Sequence, residues 1–211
     1  MNYLPWRRVI EIALVMLALP VASVLGLLIA AAISLESKGG ALFVQTRPGK
    51  HGRAFRMVKF RTMTASQHEP FRLTVSQDAR LTRVGRWMRA THLDEIPQLW
   101  HVLTGEMSLI GPRPVPMELY THYRDKIFDY DARHAVVPGI TGLAQVSLGY
   151  VNTLEGEREK WQFDVFYIAH RSPTLDAWIL WATIANLLGI KIKMDCVLAR
   201  VAAFDGNKNA P

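Results

Sequence analysis

Residues 9–35 read VIEIALVMLALPVASVLGLLIAAAISL, and the way this block folds decides the architecture of the chain. A bilayer core about 30 Å thick is crossed by about 20 apolar helical residues, so the block is long enough to span. It does not have the form of a cleaved signal sequence, because the apolar run is long and no small-residue cleavage site precedes polar sequence. Pro20 stands in its middle, lacks an N–H and clashes with the carbonyl of Met16. One solution is a kinked span whose neighbours satisfy the freed backbone groups. The other is a re-entrant hairpin, with arms of about 12 to 15 residues that reach only about 18 to 22 Å each. Arg7 and Arg8 precede the block, and Lys38, Arg47, Lys50 and Arg53 follow it. Positive residues favour the cytoplasmic side, so a hairpin with both ends on that side is the expectation. Glu11 reads as an interfacial residue where the chain enters the membrane.

Outward from this block, the chain has 211 residues, which suits one domain plus an anchor. Half the residues are hydrophobic, but their concentration in residues 9–35 reduces what is left for a soluble core. The formal charge of +7 favours anionic partners. The single Cys196 cannot form an internal disulfide. A second apolar stretch, LDAWILWATIANLLGI over Leu175–Ile190, is too short to span comfortably. Trp178 and Trp181, with Lys191 and Lys193 following, suit a membrane–water interface. A buried core helix is the equal alternative.

The rest reads as α+β, mainly helical with one small β-hairpin. Ala41–Thr46 and Ala54–Phe60 are strand-like, joined by the turn-rich RPGKHG. Residues 64–79 read as a loop. Residues 82–105 read as helix, interrupted around Asp94–Pro97. Gly111–Pro116, with three prolines, is non-helical. Met117–Ala132 returns to helix, Pro138–Gly142 is a turn, and Leu154–Arg171 is helical up to the break at Ser172-Pro173. The boundaries expected are an anchor over 1–38, a catalytic domain over 39–204 and a flexible tail over 205–211.

Four stretches carry chemistry. In Leu93-Asp94-Glu95-Ile96-Pro97-Gln98-Leu99, Pro97 is tolerated only in a first helical turn. With Asp94 as N-cap, its carboxylate would lie at a helix end that also attracts phosphate. An ionised carboxylate beside a bound phosphate is what covalent phosphoryl transfer requires, although this motif alone is equally that of an ordinary capping residue. Arg80, Arg83, Arg86 and Arg89 recur every three residues. Such a run is usually a solvated face, but guanidinium groups so near a carboxylate could also hold a diphosphate. Arg113 is fixed between Pro112 and Pro114, which suits an anion clamp. Lys59 and Arg61 flank Phe60 at the end of the second strand, placing two cations where an anionic ligand or lipid head group could sit. The histidines do not fall at metal-ligand spacing with Cys or carboxylates, and no phosphate-binding glycine loop or GxSxG elbow is present.

In order, QTRPGKHGRAFRMVKFRTM, RLTRVGRWMRATHLDEIPQLWHVLTGEMSLIGPRP and PGITGLAQVS resemble the monotopic phosphoglycosyl transferases of the bacterial sugar transferase family. The N-terminal block and the FDVFY stretch extend the resemblance over nearly the whole chain, which is similar to the small catalytic-core type. The resemblance implies a re-entrant membrane helix broken at Pro20, amphipathic interfacial helices, and a catalytic body on the cytoplasmic face of the bacterial inner membrane. It implies a UDP-sugar donor, a polyprenyl (undecaprenyl) phosphate acceptor and Mg²⁺. Asp94 and Glu95 would be the catalytic pair, with Asp94 the nucleophile and both carboxylates near the metal. Arg89 and Arg113 would contact phosphate, and Lys59, Arg61, Arg86 and Gln98 are placed with them as substrate-binding residues. Two departures stand out: His101 where the family usually has Asn, and Ser147-Leu148-Gly149-Tyr150 where it usually carries an arginine. No nucleic-acid partner is expected, since carboxylates between arginine clusters oppose polyanion binding.

Overall fold

A computed structural model describes residues 3–64, 78, 80–148, 153–190 and 201. The expectations for most of the 64–79 loop, for Gly149 and Tyr150, for Lys191, Lys193 and Cys196, and for the 205–211 tail lie outside the described residues.

The N-terminal block forms one long helix, α1 (Tyr3–Glu36), helical on both sides of Pro20 and through it. From Pro5 to Glu36 it is long and apolar enough to cross a membrane, with a mean hydropathy of 2.7 in its most apolar window. Its burial follows a helical period. Arg8, Glu11, Val15, Leu19, Ala22, Gly26, Ile29 and Ile33 are buried or half-buried, at steps of three and four residues. One stripe therefore faces the body along the whole helix and keeps its phase across Pro20. The opposite surface, including Val9, Leu17, Val21, Leu27 and Leu28, is exposed.

Glu11 is not interfacial. It is 6% exposed, takes a hydrogen bond from the Ser108 hydroxyl and pairs with Arg7 at 3.1 Å. Arg7 also donates to the Ser108 hydroxyl and the Ile110 carbonyl and lies 3.2 Å from Asp176. A charge can be buried when partnered this way, and the sequence around Glu11 does not name Ser108, which lies 97 residues away.

The expected hairpin forms from β1 (Leu42–Pro48) and β2 (Ala54–Phe60), in antiparallel register from Leu42↔Phe60 to Pro48↔Ala54. Val15 packs with Phe55 and Met57 of β2, while Ile29 and Ile33 pack with Phe60 and Met88. The hairpin thus lies along α1. Next come α2 (Arg83–Thr91), capped by the Thr82 hydroxyl, and α3 (Gln98–Thr104).

A second, unexpected sheet pairs β3 (Ser108–Ile110) in parallel with β4 (Gly139–Thr141). The chain at Pro138–Gly142 is therefore more than a turn: three of its residues are strand. Three-residue strands carry too little alternation to be read, and their pairing spans some thirty residues. The two strands approach so closely that a Cβ on Gly139 would stand 2.1 Å from the Gly111 nitrogen. Between them lies α4 (Met117–Arg124). The helix expected over Met117–Ala132 stops there, and a separate 3-10 turn follows over Tyr130–His134.

Helices α5 (Leu143–Leu148), α6 (Leu154–His170) and α7 (Pro173–Leu187) close the fold. The second apolar stretch has one buried face and one exposed face. Ile179, Ala182 and Ala185 of α7 are buried, whereas Trp181, Ile184 and Leu187 are exposed.

Candidate active site

Asp94 lies in a single 3-10 turn, Leu93–Glu95, between α2 and α3. Helix α2 ends at His92, whose φ of 56° is left-handed, and the Glu95 amide bonds back to the His92 carbonyl. The sequence expectation of Asp94 as an N-cap is corrected here. Pro97 occupies the cap position of α3, and Asp94 stands three residues before it. The left-handed corner at His92 inserts a separate turn that an Asp-Glu-Ile-Pro pattern does not announce. Helix α3 has only seven residues, so side chains rather than a helix end set the field at Asp94.

Those side chains come from four elements. Lys59 projects from β2, Arg47 from β1, Arg89 from the last turn of α2, and Arg113 from the chain after β3. Arg113 grips both oxygens of Glu95, with one arm at 3.0 Å, and donates to the Ile140 carbonyl at 3.0 Å. Asp94 is 7% exposed, and its carboxylate accepts no hydrogen bond among the described residues. Burial pushes its pKa up, the Glu95 charge adds to this, and Lys59, Arg113 and Arg89 oppose it. Burial acts the same way on Glu95, but the Arg113 charge and hydrogen bonds hold that carboxyl below the usual range.

The cations show the reverse strain. Burial brings Lys59 down to about 8, with Arg47 adding to the shift and Asp94 resisting it. Burial and Arg113 bring Arg47 down to about 9. Arg47, Lys59, Arg89 and Arg113 gather around Asp94 and Glu95, with Glu118 also acting on Arg47, so the cations outnumber the carboxylates. An arrangement that depresses its own cations is relieved by a bound dianion.

The structure separates the other expected residues. Arg89 belongs to the site and donates to the Thr62 hydroxyl at 3.0 Å. Arg61 is buried and turned to the end of α1, where it donates to the carbonyls of Lys38, Ser37 and Gly39 at 2.7, 3.0 and 3.4 Å. Both of its terminal nitrogens are thus committed to backbone. Arg86 stands exposed on α2. Gln98 is wholly buried one turn beyond Glu95, and neither atom of its amide has a hydrogen-bond partner.

Sequence reasoning took Arg47 for a flanking membrane charge. It is 8% exposed and donates to the Pro114 carbonyl and, at 3.0 Å, to Gln45. Arg133 was missed altogether. Its guanidinium pairs with Glu157 and Asp164 at 2.7 Å each and donates to the Arg113 carbonyl at 3.2 Å. Asp164 of the FDVFY stretch is pushed up to about 6 by burial, with Arg133 opposing. Two buried arginines thus hold neighbouring carbonyls of the Arg113 loop. The only signal was the place of Arg47 and Asp164 inside two of the quoted stretches.

An unbonded, buried carboxylate among cations, beside a second carboxylate held in a guanidinium fork, is an arrangement suited to nucleophilic attack on a bound phosphate. The chain belongs to the bacterial sugar transferase family, whose pattern matches residues 2–189. It is 40% identical over 183 residues to the UDP-N-acetylgalactosamine-undecaprenyl-phosphate N-acetylgalactosaminephosphotransferase of Aeromonas hydrophila, covering 86% of this chain and 43% of that protein. It is 42% identical over 185 residues to the UDP-glucose:undecaprenyl-phosphate glucose-1-phosphate transferase of Caulobacter vibrioides, covering 86% and 69%. It is 35% identical over 189 residues to the exopolysaccharide production protein PSS of Rhizobium leguminosarum, covering 86% and 94%. The chain spans about two fifths of the length of the first of these relatives and most of the other two.

Proposed function

We propose that this chain transfers a phospho-sugar from a UDP-sugar to polyprenyl (undecaprenyl) phosphate, releasing UMP, through a covalent intermediate on Asp94. The observation that carries this reading is the unbonded Asp94 carboxylate facing a cluster in which cations outnumber carboxylates. The cluster suits a diphosphate. Lys59, Arg47, Arg89 and Arg113 would draw the donor in and hold its β-phosphorus before Asp94. A carboxylate oxygen attacks that phosphorus, the bond to the bridging oxygen breaks, and UMP leaves with the electron pair. A phosphate oxygen of the polyprenyl phosphate then attacks the same phosphorus and releases the Asp94 carboxylate, giving polyprenyl-diphosphate-sugar. Such a product is the starting lipid for glycoconjugate or polysaccharide assembly.

Asp94 and Glu95 offer a suitable donor set for Mg²⁺. They are adjacent hard oxygen ligands, and among the described residues no third His, Cys, Asp or Glu joins them. Mg²⁺ is bound by one or two carboxylates with substrate phosphate and water completing the shell. When bound, it would neutralise charge developing on the diphosphate.

We read α1 as the membrane anchor, re-entrant at Pro20, with the catalytic body on the cytoplasmic face of the bacterial inner membrane. Exposed Lys38, Lys50 and Arg53 after α1 and half-buried Arg8 near its start support this reading. So do the exposed Trp6, Trp87, Trp100 and Trp181, which suit a membrane–water interface.

The test is UMP release from purified protein in nanodiscs with Mg²⁺, undecaprenyl phosphate and a panel of UDP-sugars, followed by intact-mass analysis without acceptor. A phospho-sugar adduct absent from Asp94→Asn is expected. UMP release with a ternary-complex kinetic pattern and no adduct would overturn the covalent route in favour of direct attack by the lipid phosphate.

A further inference from the structure

His101 is one of the most deeply buried polar residues of the body, at 3% exposure, and lies on α3, pointing at the free edge of β2. The sheet pairing explains what it does there. The Arg61 amide bonds to the Ala41 carbonyl, and the Gly49 amide to the Arg53 carbonyl. With the register Phe43↔Lys59, these set 43/59 and 45/57 as the hydrogen-bonded pairs of the ladder. Val58 falls between them, so its N–H turns away from β1 towards an edge where no strand follows. The His101 imidazole takes that N–H: Val58 N lies 3.0 Å from Nε2.

A backbone amide can only donate, so Nε2 is the acceptor and the ring proton sits on Nδ1. Nδ1 in turn lies 2.7 Å from Glu106 Oε2, which fixes both the tautomer and the ring plane. The Phe55 ring meets the imidazole edge-on at 5.6 Å. Met107 N donates to the His101 carbonyl at 2.9 Å, anchoring the backbone beneath it. The residue after Val58 is Lys59, whose ammonium feels Asp94. The β1 ladder thus fastens one side of β2 and the imidazole the other, immediately beside the lysine.

We infer that His101 is a positioning residue: its imidazole latches the Val58 amide to α3 and thereby sets the reach of Lys59 towards Asp94 and the donor phosphate. Glu106 acts through His101 by holding the ring in the accepting orientation. Glutamine can accept the same amide hydrogen bond through Oε1, which stands as far along the side chain as Nε2, whereas leucine fills similar space and cannot.

The inference rests on the proposed transfer reaction, and its test separates the two. Wild type, His101→Leu, His101→Gln, Glu106→Ala, Lys59→Met and His101→Leu/Lys59→Met would be assayed for UMP release. Hydrogen–deuterium exchange of the peptide containing Val58 would be followed in each folded variant. Without UMP release from the wild type, the transfer reading fails, while the exchange data still test the latch. The latch predicts faster exchange at Val58 in His101→Leu and near-wild-type protection in His101→Gln. It predicts a loss of roughly ten- to a hundredfold in kcat/KM for the UDP-sugar in His101→Leu. Rescue by His101→Gln, and an unchanged KM for polyprenyl phosphate, are part of the same expectation. Glu106 is exposed enough for Glu106→Ala to fold even if His101→Leu does not, and a smaller loss of the same kind is expected there. In the Lys59→Met background, His101→Leu should cost nothing further. Additive losses in the double variant, or equal damage from His101→Gln and His101→Leu, would overturn the inference.

Discussion

Arg113 holds Glu95 through both of its terminal nitrogens, while Asp94, the preceding carboxylate in the chain, accepts no hydrogen bond among the described residues. Two adjacent acids are thereby given different states. Glu95 is kept ionised by its fork, and Asp94 is left buried, charged against its own preference, and free to form a bond. Environments that push paired acids apart mark a division of labour.

This division separates activity from stability at Asp94. Its folded-state pKa is raised, so the fold favours the neutral acid, and the ionised form opposes folding at neutral pH. Stability contributed by this group rises as pH falls through its folded value. Asp94→Asn should therefore lose at least about a thousandfold in UMP release while its Tm is unchanged or higher. A thermal melt beside the UMP assay checks both, and a lower Tm would show that Asp94 has a structural partner.

Lys59 should leave a mark on the alkaline limb of the pH profile. Its pKa is depressed to about 8, so the ammonium is lost as pH rises through that value in the free enzyme. The dependence of kcat/KM on pH reports groups of the free enzyme. It should fall with a midpoint near pH 8, and Lys59→Arg should move that midpoint upward. A limb unmoved by Lys59→Arg would assign it to another group.

Arg133 is predicted to be worth more to the fold than to the ligand. It and its two carboxylates are each at most 5% exposed in their side chains. Removing one member of such a buried cluster costs about 3–5 kcal/mol, because the remaining charges are left uncompensated. Arg133→Met should lower the Tm by about 10 °C and weaken donor turnover through the Arg113 carbonyl it supports. Differential scanning fluorimetry in detergent measures the first effect, and the KM for the UDP-sugar the second.

The two faces of α1 should respond oppositely to a charge. Leu17 is 79% exposed, while Val15, two residues earlier, is 1% exposed against Phe55, Met57 and Val102. Leu17→Asp should weaken co-sedimentation with vesicles and leave the Tm in detergent intact, at a membrane cost of about 3 kcal/mol. Val15→Asp should instead lower the Tm sharply. Equal behaviour of the two variants would exclude a lipid-facing side.

Much of this was legible in the sequence because its signals are local. The hairpin follows from alternating residues around RPGKHG, and α6 from a periodic run ended by Ser172-Pro173. The carboxylate pair, Lys59, Arg89 and Arg113 could be picked out because their motifs stand in order. What escaped depends on long-range pairing. Arg47 looks like any basic residue after an apolar block until the Pro114 carbonyl is brought to it. Arg133 has no motif at all, and its partners lie 20 to 31 residues away. Arg61 was misplaced for the converse reason: strand alternation would put it on the same side as Lys59, but β2 ends at Phe60, and the chain just after α1 supplies the carbonyls that Arg61 binds.

The close approach of Gly139 to Gly111 bears on how such an enzyme could diversify. A methyl group at 139 would strike the Gly111 nitrogen, and one at 111 would stand 2.7 Å from the Val137 carbonyl. The shelf carrying Arg113 is therefore closed to mutational drift, because even the smallest side chain is too large for it. New donor preferences must arise in segments that border the diphosphate without forming this shelf. The chemistry can then stay constant while the sugar changes.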